Sequence, residues 1–77
     1  LIVPREHIIS LTELEERHDK LIAHIMRLLP TIAKQQGLLH GFRTVINTGP
    51  AGGQVVFHLH IHLLGGDKSG VGFFGDL

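Results

Sequence analysis

The chain of 77 residues contains no cysteine, tryptophan or tyrosine, and its aromatic content is four phenylalanines. Without cysteine there is no disulfide framework and no thiolate ligand for a metal, which permits a reducing compartment and makes the cytoplasm the expected one. Charge of one sign is also missing. Seven Lys and Arg balance seven Asp and Glu, leaving no basic stripe for a phosphodiester backbone and no net field for an anionic membrane surface. Neither nucleic acid nor a membrane is an expected partner. No apolar run approaches the roughly 20 residues that span a bilayer, and the first residues do not show the charged and apolar regions of a secretory signal. The chain opens on Leu1-Ile2-Val3-Pro4 without a methionine, as though entered partway along a strand, so a piece of a longer protein is the expectation.

What is present suffices for at most one small domain, in which burial is marginal unless the core is well packed or a partner adds surface. The hydrophobic share of 43% and charged share of 18% fit a folded chain rather than a disordered one. Residues 1–3 read as a strand end stopped by Pro4, which lacks a backbone donor. Thr12 with Glu15 three residues on matches a capping box, with a helix start nearer Glu16 as the alternative. Leu21, Ile25, Leu28, Leu29 and Ile32 then recur at helical spacing, so the helix buries one face. Pro30 lies inside that pattern and predicts a kink near residues 26–29, and Gly37 is the expected C-terminal cap.

Residues 42–48 are rich in β-branched side chains and end at Gly49-Pro50-Ala51-Gly52-Gly53, a turn-forming cluster. The next run is Phe57-His58-Leu59-His60-Ile61-His62-Leu63. On a strand, alternate side chains share a face, which puts three imidazoles on one surface and four apolar residues on the other. The two strands predict an antiparallel hairpin. Strand, helix, strand, strand in that order predicts an α+β fold, an antiparallel sheet with one main helix packed on one face. Residues 1–66 form the expected domain and 67–77 a Gly-rich tail carrying Phe73 and Phe74.

Imidazole can serve as nucleophile, general base or metal ligand near neutral pH. The plainest reading of the row is a polar sheet face, since His7, His18, His24 and His40 also occur, of which the last three read as surface residues and His7 as a cap or packing residue. A zinc site is a second reading, because two histidines one residue apart on a strand can reach one ion. Three of them at i to i+4 stretch over about 13 Å and do not converge without a bend. No carboxylate stands nearby before Asp67. The third reading is phosphorus chemistry: Gly49, Gly52 and Gly53 let backbone N–H groups approach an anion beside the imidazoles.

The stretch Gly53-Gln54-Val55-Val56-Phe57-His58-Leu59-His60-Ile61-His62-Leu63-Leu64-Gly65-Gly66 resembles the signature of the histidine triad superfamily. Gly41-Phe42-Arg43-Thr44-Val45-Ile46-Asn47-Thr48-Gly49 looks like the strand and asparagine that precede that signature, and Ile2-Val3-Pro4-Arg5-Glu6-His7 like the segment before the helix. A histidine rather than glutamine at the third triad position, followed by Leu-Gly-Gly, is similar to the Hint-type branch of purine nucleoside phosphoramidases. Dinucleoside polyphosphate hydrolases of the same superfamily are the alternative, as is a non-catalytic nucleotide- or zinc-binding dimerisation module.

The resemblance implies a two-step nucleotidyl transfer on an AMP-like purine nucleotide, without cofactor or metal. His60 corresponds to the nucleophile at the α-phosphorus, with Nδ1 protonated against the main-chain carbonyl of His58, and His62 to the residue on the phosphate oxygens. Asn47 matches the ribose and phosphate contact, and Gly53, Gln54 and Val55 the phosphate-facing loop. Read on their own, Asn47 is a turn-former and Gln54 a solvated strand start. Val55 departs from the family's Ser or Thr and cannot donate a hydroxyl hydrogen bond. The tail does not resemble the Trp-Pro-Pro ending of Hint proteins. A homodimer is implied, as are base-pocket strands and a further histidine upstream of Leu1, so the isolated 77 residues are expected to show weak or no activity.

Overall fold

The computed structural model describes residues 1–65; the predicted tail lies outside the described residues. In chain order it contains 3-10 turns at Leu11–Glu13 and Glu16–His18, helix α1 at Asp19–Gln35, strand β1 at Phe42–Val45, a third 3-10 turn at Pro50–Gly52 and strand β2 at His62–Gly65. β1 and β2 pair antiparallel, with Phe42 opposite Gly65 and Val45 opposite His62. One main helix against a short antiparallel sheet is the α+β arrangement expected.

The helix packs because its apolar period matches its pitch. Ile25, Leu29 and Ala33, four residues apart, are its buried positions, and Ile25 and Leu29 meet Ile61 in a cluster flanked by Ile2, Leu21, Ile22 and Ile46. The helix continues through Pro30, which is exposed. The carbonyl that Pro30 cannot serve is that of Met26, four residues back and likewise exposed, on the side of the helix where water can take the bond. At the other end Gly37 adopts φ +77°. Its N–H bonds to the Lys34 carbonyl and that of Leu38 to the Ala33 carbonyl, a Schellman closure of the orphan acceptors.

Three local expectations are corrected. The capping box is not Thr12 with Glu15. Ser10 caps the first turn through a 3.2 Å bond from the Thr12 N–H to its hydroxyl, while Glu15 and His18 cap each other reciprocally at the second. His18, read as a surface residue, is 3% exposed, because both of its ring nitrogens are taken up internally. The histidine row is not a regular strand. Only His62 lies in the β1–β2 ladder, and residues 56–58 form a bend.

That bend puts Phe57, expected on the core face, 49% exposed. The ladder also stops early on the other side: β1 ends at Val45, short of the expected residue 48, where the chain departs toward the glycine turn. Beyond it the row is held by the opening segment of the chain. Ile2 and Ile61 exchange two 2.9 Å main-chain bonds, and the Leu59 N–H reaches the Ile8 carbonyl at 2.6 Å. Alternation survives at the centre, where Leu59 and Ile61 are each 1% exposed and His58, His60 and His62 are half-buried.

Candidate active site

Hydrogen bonding decides the proton positions on the imidazoles. His60 Nδ1 lies 2.6 Å from the His58 carbonyl oxygen. A carbonyl only accepts, so Nδ1 carries the proton, and in the neutral ring Nε2 then holds the lone pair. His58 Nε2 in turn donates to the Pro4 carbonyl at 3.1 Å. The rings of His60 and His62 stand 5.0 Å apart and nearly perpendicular, at 78°. A second edge contact, 4.8 Å and 76°, joins His58 to His7, so His7 packs, as one of its two readings had it.

The glycine turn leads along the chain into this row. Gly49 and Gly53 take φ +71° and +84°, conformations open to glycine at little cost. Asn47 donates from Nδ2 to the Gly52 carbonyl at 2.8 Å across the turn. Gln54, read on its own as solvated, is 3% exposed. Its Oε1 accepts from the Gly49 N–H at 2.9 Å, and its Nε2 donates to the carbonyls of Ile9 at 2.7 Å and Val56 at 3.0 Å. Every hydrogen of that carboxamide is therefore spent inside the protein, where it fixes the shape of the loop. Val55 beside it is 84% exposed.

A second polar cluster stands on the opening turns. His18 Nδ1 accepts the Glu15 N–H at 2.9 Å, which fixes the proton on Nε2, and Nε2 donates to Glu6 at 2.9 Å. Glu6 also pairs with Arg17 at 2.7 Å. The bonds from His18 and Arg17 hold the Glu6 carboxyl below the usual carboxylate range. These residues and His7 line a cleft of about 190 Å³. Among the described residues no three His, Asp or Glu side chains are grouped as metal ligands.

Of the residues singled out in the sequence, the structure brings His58, His60 and His62 into one contact chain and braces Asn47, Gly53 and Gln54 in the turn that leads to it. Pro4 and His7 were not singled out for the site. Pro4 acts through its carbonyl oxygen, which no residue type announces, whereas His7 follows the proline at a spacing that a turn can bring back against the row.

The model of the HIT domain family matches residues 1–69. This chain belongs to the HIT family. An uncharacterized HIT-like protein of Synechococcus elongatus is 54% identical over 66 residues, which cover 86% of this chain and 58% of that one. An adenylylsulfatase of Arabidopsis thaliana is 44% identical over 68 residues, covering 86% and 46%. A HIT family hydrolase from Legionella pneumophila shares the fold with a TM-score of 0.80 at 36% identity, over 84% of this chain and 59% of that structure. The HIT segment seen here thus spans about half of the length of the relatives it matches. No helix among the described residues is long and apolar enough to cross a membrane.

Proposed function

We propose that this chain carries the phosphate-handling part of a nucleotidyl hydrolase or transferase of the Hint type, acting on purine nucleoside phosphoramidates or related AMP conjugates. The observation that carries the reading is the 2.6 Å bond from His60 Nδ1 to the His58 carbonyl, which leaves the Nε2 lone pair free to attack. In the first step that lone pair forms a bond to the α-phosphorus while the bond to the leaving amine breaks, and the amine departs with a proton taken from solvent, which the attacking water returns in the second step. In the second, water adds to phosphorus, the P–N bond to His60 breaks, and the nucleoside monophosphate leaves with the ring restored. His62, edge-on to His60, donates to the phosphate oxygens as charge builds on them. Asn47 serves the ribose and phosphate, and Gly53, Gln54 and Val55 shape the phosphate-facing loop.

The adenylylsulfatase relative supports an adenylyl conjugate as substrate, and His62 followed by Leu63-Leu64-Gly65-Gly66 supports the Hint-type branch. The intact protein acts as a homodimer in the cytoplasm on this reading. Replacing His60 by alanine in the intact protein tests it with an AMP phosphoramidate as substrate. A fall in kcat of at least about a hundredfold is expected, and unchanged turnover would overturn the assignment.

A further inference from the structure

We infer that His7 is a positioning residue for the His60 centre and acts through His58, an inference that rests on the catalytic reading above. Its basis is what touches the ring of the first triad histidine, whose peptide is held separately by the Leu59 N–H on the Ile8 carbonyl. Residues 56–58 form a bend, β2 begins only at His62, and β1 ends at Val45. His58 is thus carried on backbone outside any ladder, yet its carbonyl is the group that sets the proton on the His60 ring. Two contacts come to the His58 ring from a single turn of the opening segment: the Pro4 carbonyl on Nε2 and the edge of the His7 ring. Pro4 and Ile8 on either side of that turn are buried, whereas His7 itself is exposed.

The core therefore anchors the turn through Pro4 and Ile8, and the His7 ring is not needed to fill it. What the ring does touch is His58. With that edge contact gone, the His58 imidazole gains freedom about its side-chain torsions and its bond to Pro4 loosens. The carbonyl that orients His60 then loses the ring-side half of its support and keeps only the peptide-side half, the Leu59 N–H on the Ile8 carbonyl. The cost falls on the fraction of His60 that presents Nε2 with Nδ1 protonated, and on the aim of that lone pair, to which reaction rates are steeply sensitive.

The test uses His7→Ala, with His7→Gln as a second ring-less variant and His7→Phe as the variant that restores a ring edge, all in the intact protein. Both ring-less variants are expected to lower kcat for an AMP phosphoramidate about tenfold with KM within about twofold, and His7→Phe to recover most of the loss. Nitrogen-15 NMR of the His60 ring is expected to pass from one tautomer to a mixture in the ring-less variants alone. Unchanged kcat and tautomer in either folded ring-less variant would overturn the inference, as would a loss that His7→Phe does not recover. Because the tautomer is read without turnover, it separates failure of this inference from failure of the catalytic assignment, which His60→Ala tests independently.

Discussion

Gln54 and Ile9 stand far apart in the chain, yet a 2.7 Å bond from the carboxamide nitrogen to the Ile9 carbonyl joins them. The same side chain holds the Gly49 N–H and the Val56 carbonyl. One buried amide thereby ties the glycine turn, the approach to the histidine row and the opening segment together.

Gln54→Leu leaves one main-chain donor and two main-chain acceptors without that partner. Exposing or stranding such groups costs roughly 1–3 kcal/mol, so the variant is expected to unfold at lower denaturant concentration by about that amount, read from urea melts. Gln54→Glu is expected to be no better. It replaces the donating nitrogen by a second acceptor facing two carbonyls, at a site only 3% exposed.

Acid should loosen the opening turns. The bonds from His18 and Arg17 depress the Glu6 carboxyl in the folded chain, so the folded state binds its proton less readily than the unfolded one. The resulting stabilisation is present above the ordinary value of 4.5 and is lost as pH falls through the lowered folded value. Glu6→Gln is expected to remove this part of the acid dependence, measured as melting temperature against pH from 6 down to roughly 2.

Ile61 is 1% exposed and meets Ile25 and Leu29 of the helix. Ile61→Ala is expected to lower stability by about 2–5 kcal/mol. Ile61→Val should cost about 0.5–1.5 kcal/mol in the same chemical denaturation series.

The elements that rest on periodicity were legible in the sequence. Ile25 and Leu29 report the helix because burial follows its pitch, and Leu59 and Ile61 report the inward face because extended backbone alternates. Alternation did not, however, say where the ladder stops. Phe57 keeps the pattern and is nevertheless exposed, since residues 56–58 bend away from extended backbone, next to a Val56 carbonyl held by Gln54. His18 and Gln54 were misread for a related reason. Each is polar and each is buried: the Gln54 carboxamide is satisfied by main-chain atoms of residues 9, 49 and 56, and the His18 ring by the Glu15 N–H and the Glu6 carboxylate. His18 left one local trace, its place three residues after Glu15, where the two side chains cap each other. The three imidazoles could be grouped from their spacing, and the role of the His58 carbonyl came from family resemblance. The Pro4 carbonyl had no such trace, and the His7 edge only its spacing after the proline.

The main-chain pair between Ile2 and Ile61 joins residues separated by most of the described chain. Helix α1 needs only neighbours a few residues away, whereas this pair cannot form until a loop of nearly full length has closed, at a corresponding cost in chain entropy. The order of folding follows: α1 and its caps can form early, and the opening segment closes onto the Leu59 and Ile61 amides late. The imidazole row is thus expected to take up its working geometry only when the two ends of the described chain have met.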